Sequence, residues 1–237
     1  MNKLGGLKKD LRKFERPEKA KFSKRFFKTG KGEYAEGDLF LGLMTDETRS
    51  VANKYLDLSF LNLAKLLSSK IHDEREVALM ILSKRFNKGN EPERKEIYGF
   101  YLKNLSGVNN WDLVDGSAPN IVGRYLFESK SPRNFLYDFA KSDNLWKRRI
   151  AMMSTFFYIK QNDFGDALKI AEILLNDKHD LIHKAVGWML REIGNRDIKK
   201  EERFLKTYYK KMPRTMLRYA IEKFPEEKRL KYLRGEI

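Results

Sequence analysis

Three side chains in this sequence carry chemistry that packing does not readily absorb: Asp115, Arg149 and Trp188. Trp188 lies in HKAVGWMLRE, and along this stretch and its two flanking positions Ile182, Val186, Met189, Leu190 and Ile193, flanked by Ala185, form one apolar stripe at helical spacing. At about 100° per residue the opposite face holds Lys184, Trp188 and Arg191. A tryptophan between two cations offers an aromatic surface beside a phosphate-binding patch. The competing reading packs Trp188 on a neighbouring element. Arg149 shares a face with Leu145, Met152 and Phe156, while Lys147 and Arg148 point elsewhere. A guanidinium on an apolar face needs an anionic partner, because a buried unpaired charge is costly. A carboxylate in a structural salt bridge or a phosphate would serve. Asp115 follows Trp111 by four residues in NNWDLVDGSAP, on a face that Ala118 and Val122 continue. Gly116 and Pro119 loosen the helix behind it. Asp112 sits in the first turn and reads as an acid favoured by the helix N-terminus. An internal pair between Asp115 and Arg149 is the alternative to a chemical role, and does not exclude one.

The elements that must position these groups are helices. Apolar residues recur at helical spacing nearly everywhere, and strand-like alternation is scarce. The pattern predicts helices near 3–15, 17–28, 46–56, 58–68, 73–88, 91–105, 110–129, 132–141, 144–160, 164–177, 180–194, 197–211, 213–224 and 226–234, with Gly, Pro and Asn breakers between them. The helices pair, and the pairs repeat. Ala151, Ala185 and Ala220 occupy similar places 34 and 35 residues apart, and Ala78 fits an earlier repeat. That period predicts one domain over 1–237, an all-α, HEAT-like stack of helical hairpins forming a superhelix with a concave basic face. An irregular bundle is the alternative. Asp115, Arg149 and Trp188, separated by 34 and 39 residues, fall about one repeat apart, so successive second helices would present them side by side. The glycine-bearing segment Thr29–Asp38 is not a phosphate loop, since Arg25 stands where the earlier glycine is needed. It reads as a surface connection that touches a partner.

Bulk properties narrow the partner. The chain has 237 residues, 41% hydrophobic and 13% aromatic, enough to bury a real core. Lys and Arg number 49 against 33 Asp and Glu, a net charge of +16. That excess suits a polyanion, nucleic acid or an acidic membrane surface, unless the source simply runs basic throughout. The absence of cysteine removes disulfides, thiolate metal sites and thiol nucleophiles. The three histidines, His72, His179 and His183, show no metal-ligand pattern, and no cofactor is expected. Met1 to Phe14 lacks an apolar signal region, and no run is long enough to span a membrane, so a cytoplasmic protein is expected, nucleoid-associated when bound to DNA.

Five short motifs, PEKA at 17–20, FLGL at 40–43, WDLVD at 111–115, SDNLWKRR at 142–149 and HKAVGWMLRE at 183–192, in this order and spacing, resemble the AlkD-like family of DNA alkylation-repair glycosylases. The resemblance covers roughly 17–224. It implies a HEAT-like superhelix gripping duplex DNA and hydrolytic removal of N3- and N7-alkylated purines. It implies that Asp115 matches the catalytic aspartate, and that Trp111, Arg149 and Trp188 match the aromatic and basic residues flanking the lesion. Phe26-Phe27 stand where the best-known type has a tyrosine, and the 29–38 loop is longer.

The chemistry is consistent with those residues. Alkylation at N3 or N7 makes the base cationic and a good leaving group, so no general acid is required. One carboxylate can stabilise the sugar as it becomes an oxocarbenium ion and position water. Trp111 and Trp188 can offer ring faces to a cationic nucleotide, and Arg149 can hold a phosphate. Lys147, Arg148, Lys184, Arg191, Arg214 and Arg218 are the expected backbone contacts. The expected partner is duplex DNA carrying alkylated bases, bound by a monomer, with no membrane. The rival from another class is a non-catalytic HEAT-repeat protein that binds distorted or branched DNA. A protein-binding scaffold would account for the repeats but not the charge.

Overall fold

A computed structural model describes residues 3–237. Among these, every regular element is helical, and the one extended pairing is an isolated parallel bridge between Leu39 and Ile71. No described helix is long and apolar enough to cross a membrane. The chain divides into two compact units, one ending at Ile121 and the other spanning Val122–Ile237.

The first unit contains α1 (Lys3–Arg12), α2 (Pro17–Phe26), α3 (Thr45–Lys54), α4 (Phe60–Leu67), α5 (His72–Lys88), α6 (Glu91–Lys103) and α7 (Trp111–Ala118). Its centre is α5, against which α3, α4, α6 and α7 pack. Val77, Ala78, Ile81, Leu82 and Phe86 of α5 are fully buried. Starts are set by local chemistry. Pro17 opens α2, where its missing N–H costs nothing. Ser59, Asn90 and Asn110 accept backbone N–H groups at the starts of α4, α6 and α7.

The second unit contains α8 (Arg124–Glu128), α9 (Asn134–Ala140), α10 (Leu145–Lys160), α11 (Gly165–Ile173), α12 (Asp180–Gly194), α13 (Ile198–Tyr208), α14 (Arg214–Ala220) and α15 (Glu226–Arg234). Here the hairpin repeat is plain. α9 pairs with α10 and α11 with α12, while the second members α10, α12 and α14 pack in succession. Ala151, Ala185 and Ala220, which set the sequence period, are all fully buried, as is Ala78 in the first unit. Their small side chains let neighbouring helices approach.

The helix predicted over 110–129 is not one regular helix. α7 gives way at Pro119 to a π-helical turn, Pro119–Gly123, before α8 resumes. Proline brings no N–H, so the α pattern loses a bond there and a wider turn takes over. Such turns are rare and recur at functional sites.

α12 and α14 approach closely at Gly187. A Cβ there would lie 2.4 Å from the Met216 carbonyl oxygen and 2.5 Å from Tyr219 Cβ. Alanine is the better helix former by up to about 1 kcal/mol, yet overpacking of this kind costs about 1–3 kcal/mol. Gly187→Ala is expected to lower stability on balance, read as a lower denaturant midpoint at unchanged m-value.

Candidate functional site

The start of α7 is held by a buried ionic cluster. His72 opens α5 and is 3% exposed. Its Nε2 donates to Asp112 Oδ2 at 2.7 Å, and its Nδ1 lies 3.6 Å from Asp38 Oδ2. Arg75, one turn along, donates to the same Asp38 oxygen at 2.6 Å and to the Ser69 carbonyl at 2.8 Å. Burial works against the charged imidazole, but Asp112 and Asp38 outweigh it and push the pKa up to about 9. The ring is therefore an imidazolium at neutral pH. Asp112 thus does more than favour the helix N-terminus: it ties α7 to α5, and the side-chain cap of α7 is Asn110. The segment 29–38 is likewise more than a surface connection, because Ala35 and Asp38 at its end are buried.

The motifs that lie before α5 converge on the same place. Asp73 accepts the backbone N–H of Leu41 at 2.8 Å and of Leu43 at 3.2 Å, fixing the FLGL turn. Gly42 has φ +81, and a Cβ there would lie 2.6 Å from the Arg16 carbonyl oxygen at the start of α2. Only glycine fits both the dihedral and the approach.

On this base stands an aromatic stack. Phe40 stacks on His72 at 4.7 Å between centroids, Phe27 stacks on Phe40 at 5.0 Å, and Phe27 stacks on Trp111 at 5.5 Å and 19°. Phe26 meets Trp111 edge-on at 6.0 Å, and Phe22 stacks on Phe26. Phe22 and Phe26 are 63% and 54% exposed, a large apolar outlay on a helix with no buried residue. Asp115, one turn beyond Trp111, is half-buried. Behind it the Tyr101 and Ser117 hydroxyls bond at 3.0 Å. Burial, with the Asp115 charge adding, raises the Tyr101 phenol pKa.

In the second unit Arg149 is 4% exposed and donates to the Leu181 carbonyl. Trp188 is half-buried, donates Nε1–H to Glu192 at 2.9 Å and meets Phe156 of α10 at 5.6 Å. Packing on the neighbouring repeat and a polar outer edge are therefore both present. The named cations differ. Arg148 is engaged by Asp177 at 2.6 Å and by two backbone carbonyls. Lys184 pairs with Asp180 at 2.7 Å, and Arg191 pairs with Glu222. Lys147 lies over the Phe139 ring. Arg214 and Arg218 are exposed, Arg214 donating to the Leu233 carbonyl at 2.7 Å. No group of three or more His, Asp or Glu residues among the described residues is arranged to hold a metal.

Sequence reading missed His72, Asp38, Phe40 and the stack they support. The available signal was His72 and Arg75 one turn apart at a helix start, a cationic pair that needs carboxylates.

A family model described as "DNA alkylation repair enzyme" matches residues 7–224. A structure described as a predicted DNA alkylation repair enzyme from Enterococcus faecalis is similar over 90% of this chain and 97% of that one, with TM-score 0.69 and 16% identity. AlkD2 from Streptococcus mutans is similar over 94% and 97%, with TM-score 0.55 and 19% identity. The smu.31 protein of Streptococcus mutans UA159 is similar over 76% and 92%, with TM-score 0.54 and 21% identity. No curated protein sequence matches the chain.

The cluster predicts a pH dependence. The imidazole titrates near 6.5 when unpaired and near 9 in the fold, so the folded state binds the extra proton between these values. Its stabilisation is complete below about pH 6.5 and is lost as pH rises through 9. His72→Gln is expected to lower the Tm at pH 6 and to flatten the Tm profile between pH 6.5 and 9, measured by thermal melts across that range.

Proposed function

The chain belongs to the DNA alkylation repair enzyme family, and from that premise we propose that it hydrolyses the N-glycosidic bond of N3- and N7-alkylated purines in duplex DNA, without a cofactor. The observation that carries this reading is Asp115: a half-buried carboxylate one turn beyond Trp111, on a helix whose start is locked to α5 through Asp112 and His72. A rigid carboxylate beside an aromatic face suits stabilisation of positive charge that develops in a transition state.

In the proposed reaction the C1′–N bond breaks and the electron pair leaves with the base, neutralising its charge. The sugar becomes an oxocarbenium ion facing Asp115. A water oxygen bonds to C1′ and gives up a proton through the carboxylate to solvent. Trp111 offers a ring face to the cationic nucleotide. By the family resemblance, Arg149 is assigned to phosphate contact and Trp188 to nucleotide contact. Arg214 and Arg218 are the most accessible of the cations assigned to the DNA backbone, with Lys147 beside them in that role. For Arg148, Lys184 and Arg191, phosphate must displace Asp177, Asp180 or Glu222.

Incubation with duplex carrying N7-methylguanine or N3-methyladenine, followed by measurement of free base, tests the reading. Wild type should release base, and Asp115→Asn should lose roughly 10²–10³-fold in rate with DNA affinity kept. Full activity in Asp115→Asn would remove its role, and no release from any cationic lesion would favour the non-catalytic DNA-binding reading. DNA affinity should also fall linearly in log–log against salt, as counterion release requires. A flat response would contradict phosphate contacts by the basic surface.

A further inference from the structure

Asp115 can face a reacting sugar only while α7 holds one rotation about its own axis. α7 has eight residues and stops at Pro119. A helix this short is marginal by itself, and the π turn after it interrupts the α pattern before α8. Its rotation must therefore be set by tertiary contacts. Leu113, Val114 and Ala118 are buried on its inward side, and Ser117 Oγ bonds to the Tyr101 hydroxyl at 3.0 Å. Apolar burial seats the helix but is non-directional, so it tolerates a small roll. His72 makes contacts of another kind, reaching two successive residues of the first turn. By its edge, Nε2 donates to Asp112 Oδ2 at 2.7 Å. By its flat face it carries Phe40 at 4.7 Å and meets Phe27 at 5.0 Å, and Phe27 stacks on Trp111. Successive helical residues point about 100° apart, so holding both Trp111 and Asp112 removes the roll. Asp115, four residues from Trp111 and so about 40° round the axis, turns with them.

We propose that His72 is a positioning residue for base release: gripping α7 by edge and by face, it sets the heading of Trp111 and Asp115 without touching substrate. This inference rests on the glycosylase reading and adds to it a buried group that acts through α7. The charged groups around the ring are Asp112 of α7, Asp38 at the end of the glycine-bearing loop, and Arg75 and Glu76 of its own helix. A neutral imidazole keeps one N–H and still donates to Asp112. Asp112 and Asp38 then lose the positive charge that they share, and the edge contact loses its charge-assisted strength. The grip accordingly weakens as pH rises through about 9.

The test follows release of 3-methyladenine from alkylated duplex in single turnover, with the full chain in saturating excess, from pH 6 to pH 10. At pH 7 His72→Gln should release base about 10–100-fold more slowly than wild type, with affinity for undamaged duplex kept within about twofold. The ratio of the two rates, in which any pH effect on the lesion itself cancels, should fall toward one above pH 9. Asp112→Asn, at a partly exposed position, should show the same slower release and serves if His72→Gln fails to fold. A second readout needs no activity. In protein carrying 5-fluorotryptophan, the fluorine resonance of Trp111, identified by its absence from Trp111→Phe, should shift with a midpoint near pH 9. That shift should vanish in His72→Gln. A lower Tm in the variants with rates, rate ratio and resonance as in wild type overturns the proposal and leaves His72 a purely structural residue. If wild type releases no base from any cationic lesion, the glycosylase reading falls and the resonance decides alone. A shift that depends on His72 then keeps its hold on Trp111, and a resonance that does not move overturns it.

Discussion

A buried ionic network centred on His72 organises the first unit. His72 is enclosed by two carboxylates that come from opposite directions along the chain, Asp38 before it and Asp112 after it. The Asp38 carboxylate would not tolerate burial alone, and neither would the imidazolium. Together with Arg75 they form a four-member network that the fold cannot relax one member at a time. Three separate segments are thereby fixed at one point: the end of the glycine-bearing loop, the start of α5 and the start of α7. The aromatic stack of Phe40, Phe27 and Trp111 builds outward from the flat face of the same ring. Asp115 inherits its place from this arrangement, since it lies one turn along the helix that Asp112 anchors.

The chain's charge is distributed in a way that separates structural from available cations. The excess of 16 positive charges does not mean that each arginine waits for a phosphate. Arg133 is held by Asp163 and Asp166 and lies over the Tyr158 ring at 4.1 Å, which makes it part of the packing of α9 and α11. Arg148 and Arg75 are similarly engaged. The exposed lysines and arginines, of which Arg214 and Arg218 are examples, are the ones free to set a long-range field. Buried cations such as Arg75 then serve shape, and exposed ones serve attraction.

Much of this was legible in the residues, for physical reasons. Helix periodicity is a local signal repeated over many turns, so the elements from α9 to α15 lie close to their expected places. The alanine period was informative because small residues mark where helices approach, and all four alanines are buried. The WDLVD and HKAVGWMLRE motifs could be recognised as short strings. The ionic cluster could not, because residues 38, 72, 75 and 112 meet only through tertiary contact. Asp112 even satisfied a simpler explanation, since an acid in a first turn is favourable whether or not a histidine awaits it. The π turn after α7 was half visible: the helix was expected to run through to 129 with Pro119 loosening it, but nothing in the pattern showed that the turn would widen.

Gly187 fixes more than a distance. Its backbone rests against that of α14, so α12 cannot roll or slide there without steric collision. Trp188 is the next residue. Its heading is therefore tied to a contact between main chains, which varies far less than one between flexible side chains. A one-residue deletion within α12 before this crossing would turn the preceding residues by about 100° while leaving the tryptophan aimed as before. The ring's direction is thus insulated from length changes earlier in α12, while Glu192 and Phe156 remain its side-chain contacts.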